Sequence, residues 1–295
     1  MLRAILLLLF AATASAAQTA IPTAALHEGR ASVGDLEVGG ELRGVPGGAT
    51  RYLRDEDLLH MPQETYSVTD DSNLKPKTEV SGVALDTLVH LFAQSPDSAF
   101  AVAICYDKYR ANYPRDYLDT HHPLLVLRIN GQLRDHWPQS EYGGSLGPYL
   151  ISHPFFKPAF KVLSHEDEPQ VPFGITRIEI RREAQVFGAI RPRGNWPPDS
   201  PVAQGYLIAR QDCFRCHNMH GEGGTMAGRS WLELARIAHE DGERFRHIIR
   251  NPAAVTPGAK MPAHADYDDA TLDALRSYFN TFAASGASLR RRQKP

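Results

Sequence analysis

The pattern of apolar and polar residues divides the chain into a mixed first region and a helical second region. In the first region, "SAFAVAICY" is a continuous apolar run that predicts a buried strand, and "GITRIEIRR" alternates isoleucine with polar residues and predicts another. "SGVALDTLVHLF" places apolar residues at helical spacing, and "PLLVLRINGQL" predicts a hairpin about its Asn-Gly turn. We therefore expect an α+β domain over residues 30–190.

A proline-rich segment, "RPRGNWPPDSP" at residues 191–201, separates this region from the helical one. Its four prolines and one glycine favour an extended, semi-rigid linker. Ser200 and Pro201 then form a helix start, with the serine as the capping residue. Two further helices are predicted for "SWLELARIA" and "DDATLDALRSYFNTF", so the second domain is expected to be all-α.

The first 17 residues predict a signal peptide. Arg3 precedes a short apolar run, and small residues follow it at 14–17. The run is well short of the roughly 20 apolar residues that a membrane span needs, which argues against the alternative of an anchor. We expect an exported, soluble, periplasmic protein with no membrane span. A net charge of −2 argues against a general nucleic-acid binder.

The segment "DCFRCHNMHGEGG" concentrates cysteine and histidine side chains, and its Cys213, Cys216 and His217 form a C-x-x-C-H motif. This spacing lets two thiols attach to the vinyl groups of one haem and holds the adjacent histidine against the iron. A dithiol redox site would lie near a βαβ unit, and a zinc site would draw on a second cysteine pair; neither feature is visible. The motif predicts one covalent haem c per chain.

The stretch from about residue 201 to residue 282 resembles a class I cytochrome c. The resemblance rests on the helix entering C-x-x-C-H, the "GEGG" turn, the "PGAKMP" loop and the final aromatic helix. It implies that His217 and Met261 are the axial iron ligands and that the domain transfers electrons. Met219, Met226 and His264 are the rival sixth ligands. The family's usual Gly-Pro near the proximal histidine is replaced by Gly228-Arg229, which leaves the partner of His217 open.

The first domain resembles the sulfite-oxidase-like molybdopterin-binding fold through the order of several segments. These are "LEVGGEL", "RDEDLLHMP", "SGVALDTLV", "CYDKYRANYPRDYL", "LLVLRINGQL" and "GPYLISHP". Catalytic members of that family bind molybdenum through a cysteine upstream of the segment that matches "SGVALDTLV", but "ETYSVTDDSNLKPKTEV" contains none. Cys105 lies downstream and is expected to be a lone buried thiol. The sequence thus leaves molybdopterin binding open and assigns no catalytic residues.

Several polar residues of the first domain carry two interpretations each. Asp107, Tyr109, Arg110 and Tyr113 could line a ligand cleft or a docking surface, but we favour a loop whose aromatic residues close the core and whose aspartate and arginine pair with each other. His121 is expected in a solvated loop, and His153 is expected at the surface.

The leading hypothesis is an exported monohaem cytochrome c that passes single electrons to periplasmic redox partner proteins. Its N-terminal domain would serve in docking or ligand binding. The alternatives are a molybdopterin-dependent oxidoreductase that passes electrons to its fused haem c, and a haem-based sensor with an open iron site. The expected domains are a signal peptide (1–17), the sulfite-oxidase-like domain (30–190), the linker (191–201), the cytochrome c domain (202–285) and a basic tail (286–295).

Overall fold

The computed structural model describes residues 25–140 and 143–291, with side chains described as far as residue 283. The predicted signal peptide lies outside the described residues. The side chains of the predicted basic tail lie outside the described side chains. The strands of the first region are β1 (Leu36–Gly40), β2 (Arg51–Leu53), β3 (Glu64–Val68), β4 (Thr78–Ala84), β5 (Phe100–Cys105), β6 (Arg110–Tyr113), β7 (Leu124–Ile129), β8 (Leu150–Ser152), β9 (Lys161–Val162), β10 (His165–Glu166) and β11 (Ile175–Arg181). Its helices are α1 (Asp55–His60), α2 (Leu85–Phe92), α3 (Arg115–His121) and α4 (Glu183–Val186).

Within the described residues, these strands form two larger sheets and the small hairpin β9–β10. The first sheet has the order β2-β1-β11-β5-β6, in which β1 and β11 are parallel and the other pairs antiparallel. The second has the order β3-β4-β7-β8 and is antiparallel throughout. Apolar side chains from one face of each sheet and from α2 meet in a core that we call the sandwich core; it includes Val38, Ala103, Val83, Leu125 and Leu88. The α+β expectation is confirmed.

The position of β5 between two apolar clusters explains its uninterrupted apolar sequence. Ala101, Ala103 and Cys105 face the sandwich core, whereas Phe100 and Val102 belong to a different apolar cluster on the opposite face of the sheet. A strand that is buried on both faces has no polar alternation. The buried strand predicted from "SAFAVAICY" is therefore confirmed.

The second region is helical, as the sequence predicts. Its helices are α5 (Pro201–Gln211), α6 (Trp231–Glu240), α7 (Gly242–Arg250), α8 (Pro252–Val255) and α9 (Asp269–Arg291). Ser200 caps α5, since its Oγ accepts a hydrogen bond from the amide of Ala203 at 3.3 Å. Helices α5 and α9 cross at Gly205, where a Cβ atom would lie 2.1 Å from the carbonyl oxygen of Ala274. Only a residue without a side chain permits this approach.

A shared apolar cluster, which we call the interface core, joins the two regions. Its members include Phe100, Val102 and Phe187 from the first region and Phe214, Trp231 and Phe279 from the second. Phe187 contacts Phe100 edge-on at 5.2 Å and lies 6.1 Å from Phe214, both distances between ring centroids. The segment between the regions also packs on α9, because the amide of Arg193 donates to Thr281 Oγ1 at 3.3 Å.

Candidate functional site

The C-x-x-C-H motif follows directly from the end of α5. Cys213–Arg215 form a single 3₁₀ turn, and the amide of His217 donates to the carbonyl of Cys213 at 2.9 Å. Both cysteines are half-buried free thiols. Burial raises the pKa of Cys216 to about 11, and burial likewise raises that of Cys213. The turn therefore presents two protonated thiols one helical turn apart, next to a histidine.

His217 is held in one tautomer by the backbone. Its Nδ1 lies 2.6 Å from the carbonyl oxygen of Arg229, and since a carbonyl only accepts, Nδ1 carries the proton. The side chain is 8% exposed, and burial lowers its pKa. The imidazole is thus neutral and oriented, with the Nε2 lone pair left for a metal. Arg229, at the place of the missing Gly-Pro, supplies the orienting group through its backbone.

Two glycines of the "GEGG" turn bring the following loop onto the motif. A Cβ atom at Gly224 would lie 1.8 Å from the carbonyl oxygen of Arg215. Gly223 has a φ of +85°, and a Cβ there would lie 2.6 Å from the carbonyl of His217. Side chains at either position would push the loop off the motif, so the sequence "GG" is a packing requirement.

The rival sixth ligands differ in how they are held. Met261 is half-buried and packs against the interface core. His264 stacks on Tyr267, with ring centroids 4.6 Å apart, so its ring is engaged elsewhere. Met219 is buried within the interface core, and Met226 is 37% exposed. Among these side chains, Met261 combines partial burial with a thioether that is not enclosed in the core.

The end of the β5–β6 hairpin, residues 105–113, lies against the 3₁₀ turn of the C-x-x-C-H motif. The amide of Thr225 donates to the carbonyl of Lys108 at 3.1 Å. Arg110 faces Glu222 at 3.5 Å, and Glu222 also accepts from Arg181 at 2.5 Å. The expected Asp107–Arg110 pair is therefore wrong, because the arginine turns toward the carboxylate of the helical domain. The expectation that the aromatic residues close the core is confirmed, since Tyr113 is fully buried in the sandwich core and Tyr109 packs against it.

Buried polar side chains continue this contact between the domains. His165 lies 2.8 Å from the hydroxyl of Tyr267 through Nδ1 and 2.5 Å from Oε1 of Gln211 through Nε2. Tyr267 in turn donates to Asp212 at 2.5 Å. His165, Glu168 and Asp212 could together bring three ligand atoms to one metal ion. The guanidinium of Arg215 lies 3.6 Å from each of these carboxylates and already balances their charge.

Two histidines expected in solvent are buried. His121 is 3% exposed, and its Nε2 contacts Asp167 at 2.9 Å. His153 is 2% exposed, and its Nε2 lies 2.9 Å from the hydroxyl oxygen of Tyr117. Both expectations were wrong because the partners, 36 and 46 residues away in sequence, are brought together only by the fold.

The described residues do not fit a thiolate-bound molybdenum. Cys105 is 3% exposed inside the sandwich core, where burial raises its pKa. In the segment upstream of "SGVALDTLV", the buried acidic side chain is Asp71, whose carboxylate accepts from Ser152 Oγ at 2.6 Å. No accessible cysteine thiolate is thus available in the first domain, within the residues that the structure describes.

Comparison with known proteins gives a family for the helical domain. Residues 200–279 match the family model described as cytochrome c oxidase, cbb3-type, subunit III. A search of curated proteins finds no match. Among solved structures, the chain is similar to the sulfane dehydrogenase SoxCD from Paracoccus pantotrophus, with 17% identity, a TM-score of 0.35 and coverage of 52% of this chain and 40% of that chain.

Among the helices in the part of the chain that the structure describes, none combines the length and apolar character needed to cross a bilayer.

The family match agrees with the resemblance that the C-x-x-C-H motif carries. Residues 200–279 therefore form a cytochrome c domain, whose cofactor is covalent haem c.

Proposed function

We propose that this protein is an exported monohaem cytochrome c that transfers single electrons between periplasmic redox partner proteins. The observation that carries the proposal is His217, buried, neutral and oriented by the carbonyl of Arg229 directly after two free thiols. In this proposal, Cys213 and Cys216 would hold the haem through thioethers, and His217 and Met261 would be the protein ligands of its iron. When bound, the haem supplies a one-electron couple, and methionine ligation raises its reduction potential.

The roles of the chain's own residues follow from their environment. Nδ1 of His217 donates a hydrogen bond to the carbonyl oxygen of Arg229. This bond makes Nε2 a stronger metal ligand and fixes the orientation of the imidazole ring. The interface core excludes water from the motif's inner side, where Phe214 is fully buried. An iron that took both His217 and Met261 as ligands would offer no position to a small molecule, which favours electron transfer over sensing.

The N-terminal domain has a docking role in this proposal, and its first partner is the cytochrome domain itself. Contacts from the β5–β6 hairpin and from Arg181 hold the loop after the C-x-x-C-H motif. Because this domain offers no accessible thiolate among its described residues, the proposal assigns it no molybdenum chemistry.

The first experiment tests covalent attachment. We expect a Cys213→Ser/Cys216→Ser double variant to lose the haem stain on a denaturing gel, because no thiol remains to form a thioether. Cys105→Ser is the matched control and should keep the stain, since Cys105 lies in the sandwich core. Metal analysis of the wild type should give one iron per chain and no molybdenum. Retained haem in the double variant, or molybdenum equal to iron, would contradict the proposal.

The second experiment tests the sixth ligand. Met261→Ala should open the iron, so that the reduced protein binds carbon monoxide without denaturation, whereas the wild type should not. It should also lower the reduction potential, because the thioether is lost. Met226→Ala is the control, since Met226 is partly exposed on the loop after the motif. Carbon monoxide binding by the wild type would favour a sensor instead.

A further inference from the structure

Three polar side chains, His165, Tyr267 and Asp212, meet where the first region contacts the cytochrome domain, and we call them the buried triad. His165 in β10 is 1% exposed, Tyr267 is 3% exposed, and the side chain of Asp212 is 9% exposed. Nδ1 of His165 lies 2.8 Å from the hydroxyl oxygen of Tyr267, and this hydroxyl donates to Oδ2 of Asp212 at 2.5 Å. Because Asp212 directly precedes Cys213, the triad connects the first region to the start of the C-x-x-C-H motif.

The amide of Gln211 fixes a proton on the other nitrogen of His165. Nε2 of Gln211 donates to the carboxylate of Asp167, so the amide presents its oxygen, Oε1, to His165. This oxygen lies 2.5 Å from Nε2 of His165. Since an amide oxygen only accepts hydrogen bonds, Nε2 of His165 carries a proton.

The contacts of the buried triad require one proton more than its neutral histidine and ionised aspartate supply. The hydroxyl of Tyr267 has a single proton, which it donates to Asp212. Nδ1 of His165 can then bond to the same hydroxyl oxygen only as a donor. A histidine with its one proton on Nε2 would leave Nδ1 as a buried acceptor without a donor, which is costly. One further proton, on His165 or on Asp212, satisfies every contact of the triad at once.

The same count of protons argues against a metal ion at this place. His165, Glu168 and Asp212 bring their ligand atoms close together. Both ring nitrogens of His165, however, are engaged with Tyr267 and Gln211, and a doubly protonated imidazole has no lone pair for a metal. The cluster therefore fits a proton better than a metal ion.

The carboxylate of Asp212 favours this extra proton. Its Oδ1 is buried and has no hydrogen-bond partner, and the guanidinium of Arg215 lies 3.6 Å from it, which is longer than a hydrogen bond. Nδ1 of His165 lies 3.4 Å from Oδ2 of the same carboxylate. An incompletely bonded carboxylate in the protein interior stabilises a positive charge beside it.

The other charged and titratable side chains around the buried triad engage partners of their own. Glu168, whose pKa is raised by burial and by the charge of Asp212, faces Arg215 at 3.6 Å. His264 stacks on the ring of Tyr267. The rest are Asp167 bonded to His121, Lys161 bonded to Glu166, and Arg250 bonded to the backbone carbonyl of Tyr267. The contacts that depend on an added proton are therefore those of the triad.

We propose that the buried triad is a proton-binding site whose occupancy is coupled to the oxidation state of the haem. The triad takes up one proton from water when one electron from a redox partner protein reduces the haem, and it returns the proton to water when the electron leaves. No bond forms or breaks except the N–H or O–H bond of this proton. The coupling arises because Asp212 precedes Cys213, so the electron adds negative charge near the triad and strengthens its hold on the proton. This inference rests on the proposed function, since it requires covalent haem.

The test is the reduction potential of the haem-loaded full chain, measured from about pH 5 to about pH 9. Proton binding that is about tenfold tighter in the reduced protein corresponds to about 59 mV. We expect the potential of the wild type to fall over this range by about 59 mV more than that of His165→Gln, whose amide keeps hydrogen bonds but cannot titrate. His239→Gln, at an exposed position of α6, is the control and should behave as the wild type does.

Equal pH dependence in the wild type and His165→Gln would overturn the inference. A chain without covalent haem would contradict the proposed function as well, whereas a haem-loaded chain with a pH-independent potential would contradict the inference alone. Asp212→Asn is the second variant, and we expect it to lose the same part of the pH dependence, because a neutral amide no longer holds the proton.

Proton uptake by the wild type is a second measurement, and it needs no variant. An electrode reduces the haem-loaded protein in a weakly buffered solution, and a pH indicator reports the protons taken up per electron. We expect uptake at the pH values where the potential falls. Reduction without any uptake of protons across the whole range would overturn the proposal.

Discussion

At the scale of single residues, the loop after the C-x-x-C-H motif depends on two positions without side chains. Gly224 lies so close to the carbonyl of Arg215 that any side chain would overlap it, whereas Gly228, four residues on, has open space around the position of a Cβ atom. The loop between them leads to Arg229, whose carbonyl holds His217. Displacement of this loop would therefore reach the histidine directly.

We predict that Gly224→Ala destabilises the protein by about 1–3 kcal/mol, the usual cost of forcing atoms into a packed site. Gly228→Ala is the matched control and should change the free energy of unfolding by less than about 0.5 kcal/mol. Urea unfolding of both haem-loaded variants measures the difference. Equal stability of the two variants would contradict the close packing at Gly224.

Burial of His153 makes the free energy of unfolding decrease at acidic pH. Burial, with a contribution from His121, lowers the pKa of His153 from its ordinary 6.5 to about 3. Because the unfolded chain binds a proton below pH 6.5 and the folded chain does not, stability falls as the pH drops from 6.5 toward 3. At about pH 4.5 this loss is about 2–3 kcal/mol.

We predict that His153→Gln, which keeps a hydrogen-bonding partner for Tyr117, reduces the loss of stability between pH 7 and about pH 4.5 by that amount. Urea unfolding at the two pH values measures it. His136→Gln is the control, because His136 is exposed on a 3₁₀ turn, and it should leave the pH dependence unchanged. An identical pH dependence in His153→Gln and the wild type would contradict the assignment of this group.

The residues of the motif can be predicted from the sequence, but their hydrogen-bond partners cannot. Cys213, Cys216 and His217 follow from local spacing, whereas the Arg229 carbonyl is a backbone atom with no sequence signature of its own. His121 was expected in solvent because nothing near it in sequence indicates Asp167, 46 residues away. Local patterns thus predict the groups that bind a cofactor, and tertiary packing supplies the groups that orient or bury them.

At the scale of elements, apolar spacing alone misplaced one boundary. "SGVALDTLVHLF" was expected to be helical, but Val83 lies in β4, and α2 begins only at Leu85. The preceding residues pair with β7, where Val83 lies opposite Leu125. A β-branched valine fits a strand, and the sheet partner decides between the two conformations. The predicted hairpin after Ile129 is correct at its Asn-Gly turn, but its second arm makes one bridge, at Gln132, and then a 3₁₀ turn.

The crossing of α5 and α9 yields a prediction at this scale. Gly205→Ala would place a Cβ 2.1 Å from the backbone carbonyl of Ala274, so the helices must separate, and we expect a loss of about 1–3 kcal/mol. Gly242→Ala is the control, because its Cβ would meet only the flexible end of Arg276. That variant should stay within about 1 kcal/mol of the wild type, helped by the higher helix propensity of alanine. Thermal unfolding followed by circular dichroism separates the two cases.

At the scale of the whole molecule, the two regions share a core although a proline-rich segment divides their sequences. The first sheet lies between the sandwich core on one face and the cytochrome domain on the other, and β5 contributes to both. Phe187 lies between Phe100 of that sheet and Phe214 of the C-x-x-C-H turn. The continuous apolar run in the sequence indicated the burial of β5, but it could not indicate which domain covers each face.

A shared core predicts that the domains unfold together. Thermal unfolding should give one transition, at the same temperature by far-ultraviolet circular dichroism, which reports mainly on backbone structure, and by haem absorption, which reports on the cytochrome domain. Phe187→Ala removes a ring that is 5% exposed and should lower the stability by about 3–5 kcal/mol in both signals together. Phe155→Ala, at a side chain that is 67% exposed, is the control and should change little. If the haem signal shifted in Phe187→Ala while the circular dichroism transition stayed in place, the two domains would be independent units, and the interface core would contribute nothing to their cooperativity.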